Sequence, residues 1–291
     1  MNKPLWQPSK KLKQDSILQD FCHYINFKSS SNFKELWQWS VKNPEEFWSK
    51  FWDYSKIIGD KGSVIIQKDK VFNKSKFFPD SKLNYAENIL KKKSNDIAIN
   101  FLSEKGFEEY ITWNNLYEKV CKFSNYLKKL SLKKGDRVAA YVPNKIETII
   151  SFLACAKNGI IWSSCSPDFG VQGVLDRFGQ IEPKVLMTVD GYFYNQKNLN
   201  IKDKVSEIAD NLPTVEHLVL VNFSGQSEVV DDARMVRYED FLDNDASDID
   251  FVRKPFNHPI YIMFSSGTTG VPKCIVHGAG GTLLQHCKEH G

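Results

Sequence analysis

The chain has 291 residues, of which 42% are hydrophobic, so it can form one large domain or two ordinary ones around a sizeable core. It contains no run of about 18 apolar residues, so the sequence predicts no membrane span. The formal net charge is +4, and dispersed lysines dominate before residue 135, whereas all five arginines follow that position. Because arginine leads in phosphate and base recognition, this pattern favours a solvated surface over a nucleic-acid site.

The termini and the cysteines indicate a cytoplasmic protein without a metal site. Residues 1–13 are basic but lack the apolar core of a signal peptide. The six cysteines form no C-x-x-C pair, and several lie in apolar runs, which is typical of reduced, buried thiols. His286 and His290 are four positions apart on a predicted helix, but zinc needs further ligands that the sequence does not supply.

Residues 1–95 are rich in aromatic side chains and poor in regular periodicity. A helix is predicted to begin at Pro44, with an apolar stripe formed by Phe47, Trp48, Phe51 and Trp52. Because such a stripe is more often core packing than a ligand site, we assign it no chemistry. We expect residues 1–95 to form an N-terminal extension that wraps around the main domain.

From residue 96 onward, short apolar strands alternate with helices. The predicted strands are 97–102, 137–142, 160–163, 185–189, 217–221 and 260–264. The predicted helices are 113–127, 146–156, 171–180, 202–211 and one starting near Thr282. Gly159 is predicted to close the second helix, and Pro167-Asp168 is an N-cap signal before the third. Such alternation predicts an α/β fold with a doubly wound, largely parallel sheet. The acidic stretch 222–257 is predicted to be a solvated excursion.

The last predicted strand leads directly into a loop that is suited to phosphate. The loop reads Ser265-Ser266-Gly267-Thr268-Thr269-Gly270-Val271-Pro272-Lys273. Glycines allow a sharp turn that brings backbone N–H groups near an anion, and hydroxyls and a lysine add donors and charge. Ligands of parallel sheets gather beyond the carboxyl ends of the strands, where this loop lies. The alternative interpretation is an ordinary surface turn between two strands.

This loop resembles the phosphate-binding signature of the adenylate-forming superfamily, and the wider chain resembles its acetoacetate–CoA ligase family. The matching segments are 5–9, 77–79, 83–88, 166–170 and 277–282, so the similarity runs nearly end to end. The resemblance implies the large-domain fold of AMP-binding enzymes, with ATP, Mg²⁺, CoA and acetoacetate as ligands. It implies that the ATP phosphates contact Ser265, Ser266, Gly267, Thr268, Thr269, Gly270 and Lys273. It also implies a catalytic role for Lys273.

Two alternatives remain open beside this family. One is an acetate-type or other short-chain acyl-CoA ligase, and the other is a non-catalytic nucleotide-binding module. The resembled family continues far beyond its phosphate loop, into ribose-binding and acyl-binding segments and a small C-terminal domain. We therefore expect residues 96–291 to be the first part of the AMP-binding domain, with an incomplete sheet, and this piece alone to be inactive.

Overall fold

A computed structural model describes residues 5–27, 33–226, 230–241, 250–267 and 270–290. These residues form two compact units, the first comprising residues up to 82 together with 282–290, and the second comprising 83–281. Throughout this part of the chain, every helix is too short or too polar to span a bilayer. All six cysteines lie in this described part, and none of them forms a disulfide. The division at residue 95 into an extension and a main domain stays a prediction.

The first unit is built around an aromatic cluster. Its elements are α1 (Lys10–Gln14), α2 (Ile17–Tyr24), α3 (Phe33–Lys42), α4 (Pro44–Tyr54) and the two-residue strands β1 (Gly59–Asp60), β2 (Ile66–Gln67), β3 (Lys76–Phe77) and β4 (Lys82–Leu83). The ring of Phe21 packs against Phe47, Phe51 and Tyr54 with centroids 6.0, 5.8 and 5.1 Å apart. The predicted stripe on α4 therefore forms core, as expected. Helices α1 and α2 were not predicted, because each is short and its start depends on one N-cap serine.

The second unit contains the predicted alternation of strands and helices. Its helices are α5 (Tyr85–Ile89), α6 (Trp113–Lys129), α7 (Ile146–Asn158), α8 (Val171–Ile181), α9 (Lys202–Asp210) and the start of α10 (Ala279–His290). Its strands are β5 (Ile97–Leu102), β6 (Glu108–Thr112), β7 (Arg137–Tyr141), β8 (Ile161–Cys165), β9 (Val185–Val189), β10 (Gly191–Tyr194), β11 (Lys197–Asn200), β12 (His217–Val221), β13 (Met235–Arg237), β14 (Lys254–Pro255), β15 (Pro259–Phe264) and β16 (Cys274–Gly278).

A seven-stranded sheet organises this unit in the order β13-β12-β9-β7-β8-β15-β16. All neighbouring pairs are parallel except β15 and β16, which form an antiparallel hairpin at the edge. The chain moves from β7 to β8 in one direction and from β8 across to β9 in the other, so right-handed crossovers place α7 and α8 on opposite faces. The predicted doubly wound, largely parallel sheet is confirmed, and ligands of such sheets collect where the direction reverses.

The acidic stretch before β15 is more ordered than the sequence predicted. The stretch 222–257, expected to be a solvated excursion, contributes β13 and a 3₁₀ turn at Tyr238–Phe241 with both terminal aromatic rings buried. Phe241 stacks on Tyr126 of α6 at 3.6 Å between ring centroids, and Tyr238 stacks on Phe123 at 5.4 Å. The many acidic residues of this stretch obscured two core aromatics, whose rings pack it against α6. Residues 227–229 and 242–249 lie outside the described part.

A buried asparagine joins the start of α5 to the end of α7. The side-chain oxygen of Asn84 accepts a hydrogen bond from Glu87 N at 3.2 Å and so caps α5. Its Nδ2 donates to Ala156 O, Lys157 O and Val252 O at 3.0, 3.0 and 2.9 Å. At this buried helix end, the amide adds to the backbone donors Gly159 N and Val252 N, which already bond Ala156 O and Lys157 O.

A buried histidine contacts the same helix end and makes stability depend on pH. His258 Nε2 lies 2.9 Å from the carbonyl of Gly159, which closes α7 in the left-handed conformation at φ 72°. Burial, assisted by the positive charge of Lys254, lowers the pKa of His258 below its ordinary value of 6.5. The folded protein therefore disfavours the protonated imidazole relative to the unfolded chain.

We expect the unfolding free energy to fall as the pH drops from about 7 through 6.5, because the unfolded chain takes up the His258 proton first. Neutral His258 makes its full contribution to the unfolding free energy above that pH range. This contribution is lost as the pH falls towards the lower pKa of His258 in the folded protein. A His258→Gln variant retains a donor for Gly159 O but does not titrate. The difference in melting temperature between the two proteins should therefore change between about pH 7 and pH 5, and a constant difference would contradict this role.

Candidate active site

The predicted phosphate loop connects the two antiparallel strands of the β15–β16 hairpin. Phe264 pairs with Cys274, so residues 265–273 form the whole connection beyond the carboxyl end of β15. Ser265 N donates to Lys273 O at 3.0 Å, and Lys273 N donates to Ser265 Oγ at 3.0 Å. These reciprocal bonds close the base of the loop and fix the backbone of Lys273 beside the strand end.

Glycine is required at position 267 within this loop. Gly267 has φ 68°, and a Cβ there would lie 2.8 Å from Gly270 O and 3.2 Å from the Pro272 ring. Gly270 N donates to Gly267 O at 3.1 Å, which completes a tight turn. An alanine at 267 would be strained by its positive φ and by the contact with a backbone oxygen. The sequence-based expectation that glycines shape this loop agrees with this geometry.

The rim of the loop carries donors that suit an anion. The side chains of Ser266 and Lys273 are exposed, and Ser265 is half-buried. The Ser265 oxygen already accepts a hydrogen bond from Lys273 N, so its hydroxyl proton remains available to donate. Thr268 and Thr269, the other predicted phosphate ligands, lie outside the described residues. Five of the seven predicted ligands thus belong to one closed turn, and their contact with phosphate stays a prediction.

Helix α8 borders the loop, and one contact from it was not foreseen from the sequence. Gln180 Nε2 donates to Pro272 O at 2.8 Å, and Cys274 Sγ lies 3.6 Å from Gln180 Oε1. The Arg177 guanidinium lies 4.4 Å from the Phe169 ring centroid and 6.0 Å from that of Phe264, the last residue of β15. The contacts of Gln180 with Pro272 and Cys274 join residues about ninety positions apart, so no local pattern could reveal them.

The carboxyl end of β7 contacts the segment that leads from β8 into α8. The hydroxyl of Tyr141 lies 2.7 Å from both Pro167 O and Phe169 O, and burial raises its pKa above the ordinary value. Burial also raises the pKa of the Cys165 thiol to about 11, so it is protonated near neutral pH. Cys165 is therefore a buried side chain and not a nucleophile.

The predicted N-cap signal before α8 is wrong in detail. The N-cap residue is Gly170, which has no side chain to cap the helix. The Asp168 carboxylate instead accepts a hydrogen bond from Ser166 Oγ at 2.9 Å, and Asp168 N lies 3.4 Å from the same Oγ. Residues 166–169 form a local turn, which is closed by Phe169 N donating to Ser166 O. The short polar side chains bond within this turn and are therefore not used to cap the helix.

The described residues offer no cluster of three or more histidine, cysteine or acidic side chains that could bind a metal ion. His286 and His290 lie on α10 with ring centroids 6.0 Å apart. Their carboxylate neighbour Glu289 instead pairs with Lys288 at 2.5 Å.

Comparison with known proteins identifies the family to which this loop and sheet belong. Residues 86–290 match the sequence profile described as AMP-binding enzyme. The chain belongs to the AMP-binding enzyme family. Residues 33–89 match a second profile, described as acetyl-coenzyme A synthetase N-terminus. The two profiles together account for most of the chain, and the first contains the whole β15–β16 hairpin.

Relatives within the AMP-binding enzyme family are similar over nearly the whole chain. An acetoacetyl-coenzyme A synthetase of Rhizobium meliloti is 42% identical over 297 residues, which cover 99% of this chain and 45% of that protein. An acetoacetyl-CoA synthetase of Gallus gallus is 41% identical and covers 89% of this chain and 41% of its own length. The solved acetoacetyl-CoA synthetase from Streptomyces lividans superposes with a TM-score of 0.92 at 31% identity, covering 99% of this chain and 45% of that one. The chain thus spans less than half the length of these relatives.

Proposed function

We propose that the full-length protein containing this chain is an acid–thiol ligase that activates acetoacetate with ATP and transfers the acyl group to CoA. The products are acetoacetyl-CoA, AMP and pyrophosphate. The observation that carries this proposal is the closed glycine–hydroxyl turn with Lys273 at its exit, in an AMP-binding enzyme sheet. The choice of acetoacetate rests on the relatives that are named acetoacetyl-CoA synthetase.

The loop chemistry suits the first half of this reaction. Carboxylate activation brings two anions together and releases pyrophosphate, so fixed donors and cations at the developing charge lower the barrier. In this proposal, the ATP phosphates contact the hydroxyls and N–H groups of the loop, and Lys273 offsets charge on the leaving pyrophosphate. The fit is supported by the close approach at Gly267, which leaves no room for a side chain. Mg²⁺ would accompany ATP as the usual counterion of its phosphates. A cytoplasmic location is part of the same proposal.

Substrate preference is the direct test of this function. The full-length protein should activate acetoacetate with a kcat/KM about 10- to 200-fold above that for acetate, because the longer acid offers extra contacts to a matched pocket. Acid-dependent ATP–pyrophosphate exchange and thioester formation with CoA measure the two half-reactions. A preference for acetate would assign the protein to an acetate-type ligase. ATP binding without activation of any acid would favour a nucleotide-binding function.

A further inference from the structure

The side chain of Gln180 bridges helix α8 and the exit of the phosphate loop. Its Nε2 donates to Pro272 O at 2.8 Å and to Asp176 O at 2.5 Å. Its Oε1 accepts from Cys274 Sγ at 3.6 Å. Pro272 and Cys274 are the two chain neighbours of Lys273, so one glutamine contacts the backbone before the lysine and the side chain after it.

The segment that Gln180 contacts needs an anchor. Strand β16 ends the sheet order, and its only sheet neighbour within the described residues is β15. The side chains of Cys274, Ile275 and Val276 are exposed, so packing adds little to the hydrogen bonds of the hairpin. Segments with few buried contacts and exposed backbone hydrogen bonds open at low free energy. Gln180 links this segment to α8, whose Val174 and Phe178 are fully buried.

We propose that Gln180 is a positioning residue that sets where the Lys273 ammonium lies relative to the ATP phosphates. Ser265 fixes the Lys273 backbone from the hairpin side, and Gln180 fixes it from the α8 side. A lysine that stabilises developing charge acts through its placement, because misplacement of about 1 Å costs large factors in rate. The catalytic part of this inference rests on the proposed function, whereas the anchoring of residues 272–274 does not.

Two variants of Gln180 separate positioning from folding. Gln180→Met removes the amide oxygen and nitrogen but keeps a side chain of similar size. Gln180→Ala removes the side chain beyond Cβ, and alanine favours the helix at this position. Gln172→Ala is the matched control, since Gln172 is also an exposed glutamine of α8 and, among the described residues, donates only within its own helix, to Asp176 Oδ1 at 2.7 Å. We expect amide hydrogen exchange of the peptide covering 270–276 to quicken in both Gln180 variants and to be unchanged in Gln172→Ala.

The second measurement is a double-mutant cycle with Lys273→Ala in the full-length protein. Gln180→Met should lower kcat of acetoacetate-dependent ATP–pyrophosphate exchange about tenfold and leave KM for acetoacetate within about twofold, as expected for a transition-state contact. In the Lys273→Ala background the same change should have almost no effect, because Gln180 then has no lysine to place.

The outcomes distinguish this inference from the proposed function. Unchanged hydrogen exchange in the Gln180 variants would overturn the positioning role. The same fold-loss of kcat from Gln180→Met in the wild-type and the Lys273→Ala backgrounds would also overturn it. Faster exchange in a protein that activates no acid would refute the ligase function and leave Gln180 as the anchor of the loop. A melting temperature equal to that of Gln172→Ala excludes general unfolding as the cause, and a variant that unfolds is replaced by the other one.

Discussion

Replacing Lys273 by alanine in the full-length protein is expected to lower kcat of acetoacetate-dependent ATP–pyrophosphate exchange by about 10²- to 10³-fold. Lys273 leaves the closed turn with its backbone fixed by Ser265 and with an exposed side chain. A charge that contacts the leaving pyrophosphate interacts most strongly in the transition state, so the KM for acetoacetate should change far less than kcat. Steady-state exchange assays over a range of acetoacetate concentrations measure both constants.

The control for this experiment is an exposed lysine outside the loop. Lys197 is exposed on β11, in the small hairpin that β11 forms with β10. Lys197→Ala should therefore leave both constants unchanged while altering the net charge by the same amount. An equal loss in the two variants would indicate long-range attraction of ATP. An unchanged rate in Lys273→Ala would remove Lys273 from the mechanism.

The alternative interpretation of the loop as a turn between two strands is also correct in its local geometry. Residues 265–273 connect antiparallel strands, whereas a parallel α/β pattern alone would have placed a helix after β15. The two interpretations do not conflict, because a hairpin turn at the carboxyl end of a parallel strand still lies where ligands bind. The residues that shape it, Gly267 and Ser265, could be recognised from the sequence since their bonds are local.

The sequence predicted the long elements better than the short ones. Helix α6 was recognised because its apolar residues repeat every three to four positions. Strand β9 was recognised because four of its five residues are apolar. Strands β6 and β13 were missed, because β6 has mostly exposed or half-buried side chains and β13 has only three residues. Such strands are specified by their partners and not by their own pattern.

Contacts between distant segments could not be predicted even where the sequence marked the residues. The segment 83–88 carried part of the family resemblance, but the role of its first asparagine emerges only from the fold. Asn84 lies 72 and 168 positions from its partners Ala156 and Val252. Nearby, Glu87 pairs with Arg253 through both carboxylate oxygens at 2.9 and 2.8 Å. This segment therefore joins the end of α7 to the strand region that leads into β15.

Replacing Asn84 by alanine is expected to cost about 2–4 kcal/mol of unfolding free energy, because α5 loses its cap and the amide donor to Val252 O is lost. The carbonyls of Ala156 and Lys157 lose the same amide but keep their backbone donors, Gly159 N and Val252 N. Asn84→Asp keeps an acceptor for Glu87 N but turns an oxygen towards those carbonyls, so it should destabilise at least as strongly.

Asn100→Ala is the control, since that exposed amide donates to Glu108 Oε1 at 2.7 Å. Thermal unfolding should give losses of about 5–10 °C for both Asn84 variants and almost none for the control. A stable Asn84→Asp variant beside an unstable Asn84→Ala variant would show that Asn84 acts only as the cap of α5, and that its amide donors do not stabilise the end of α7.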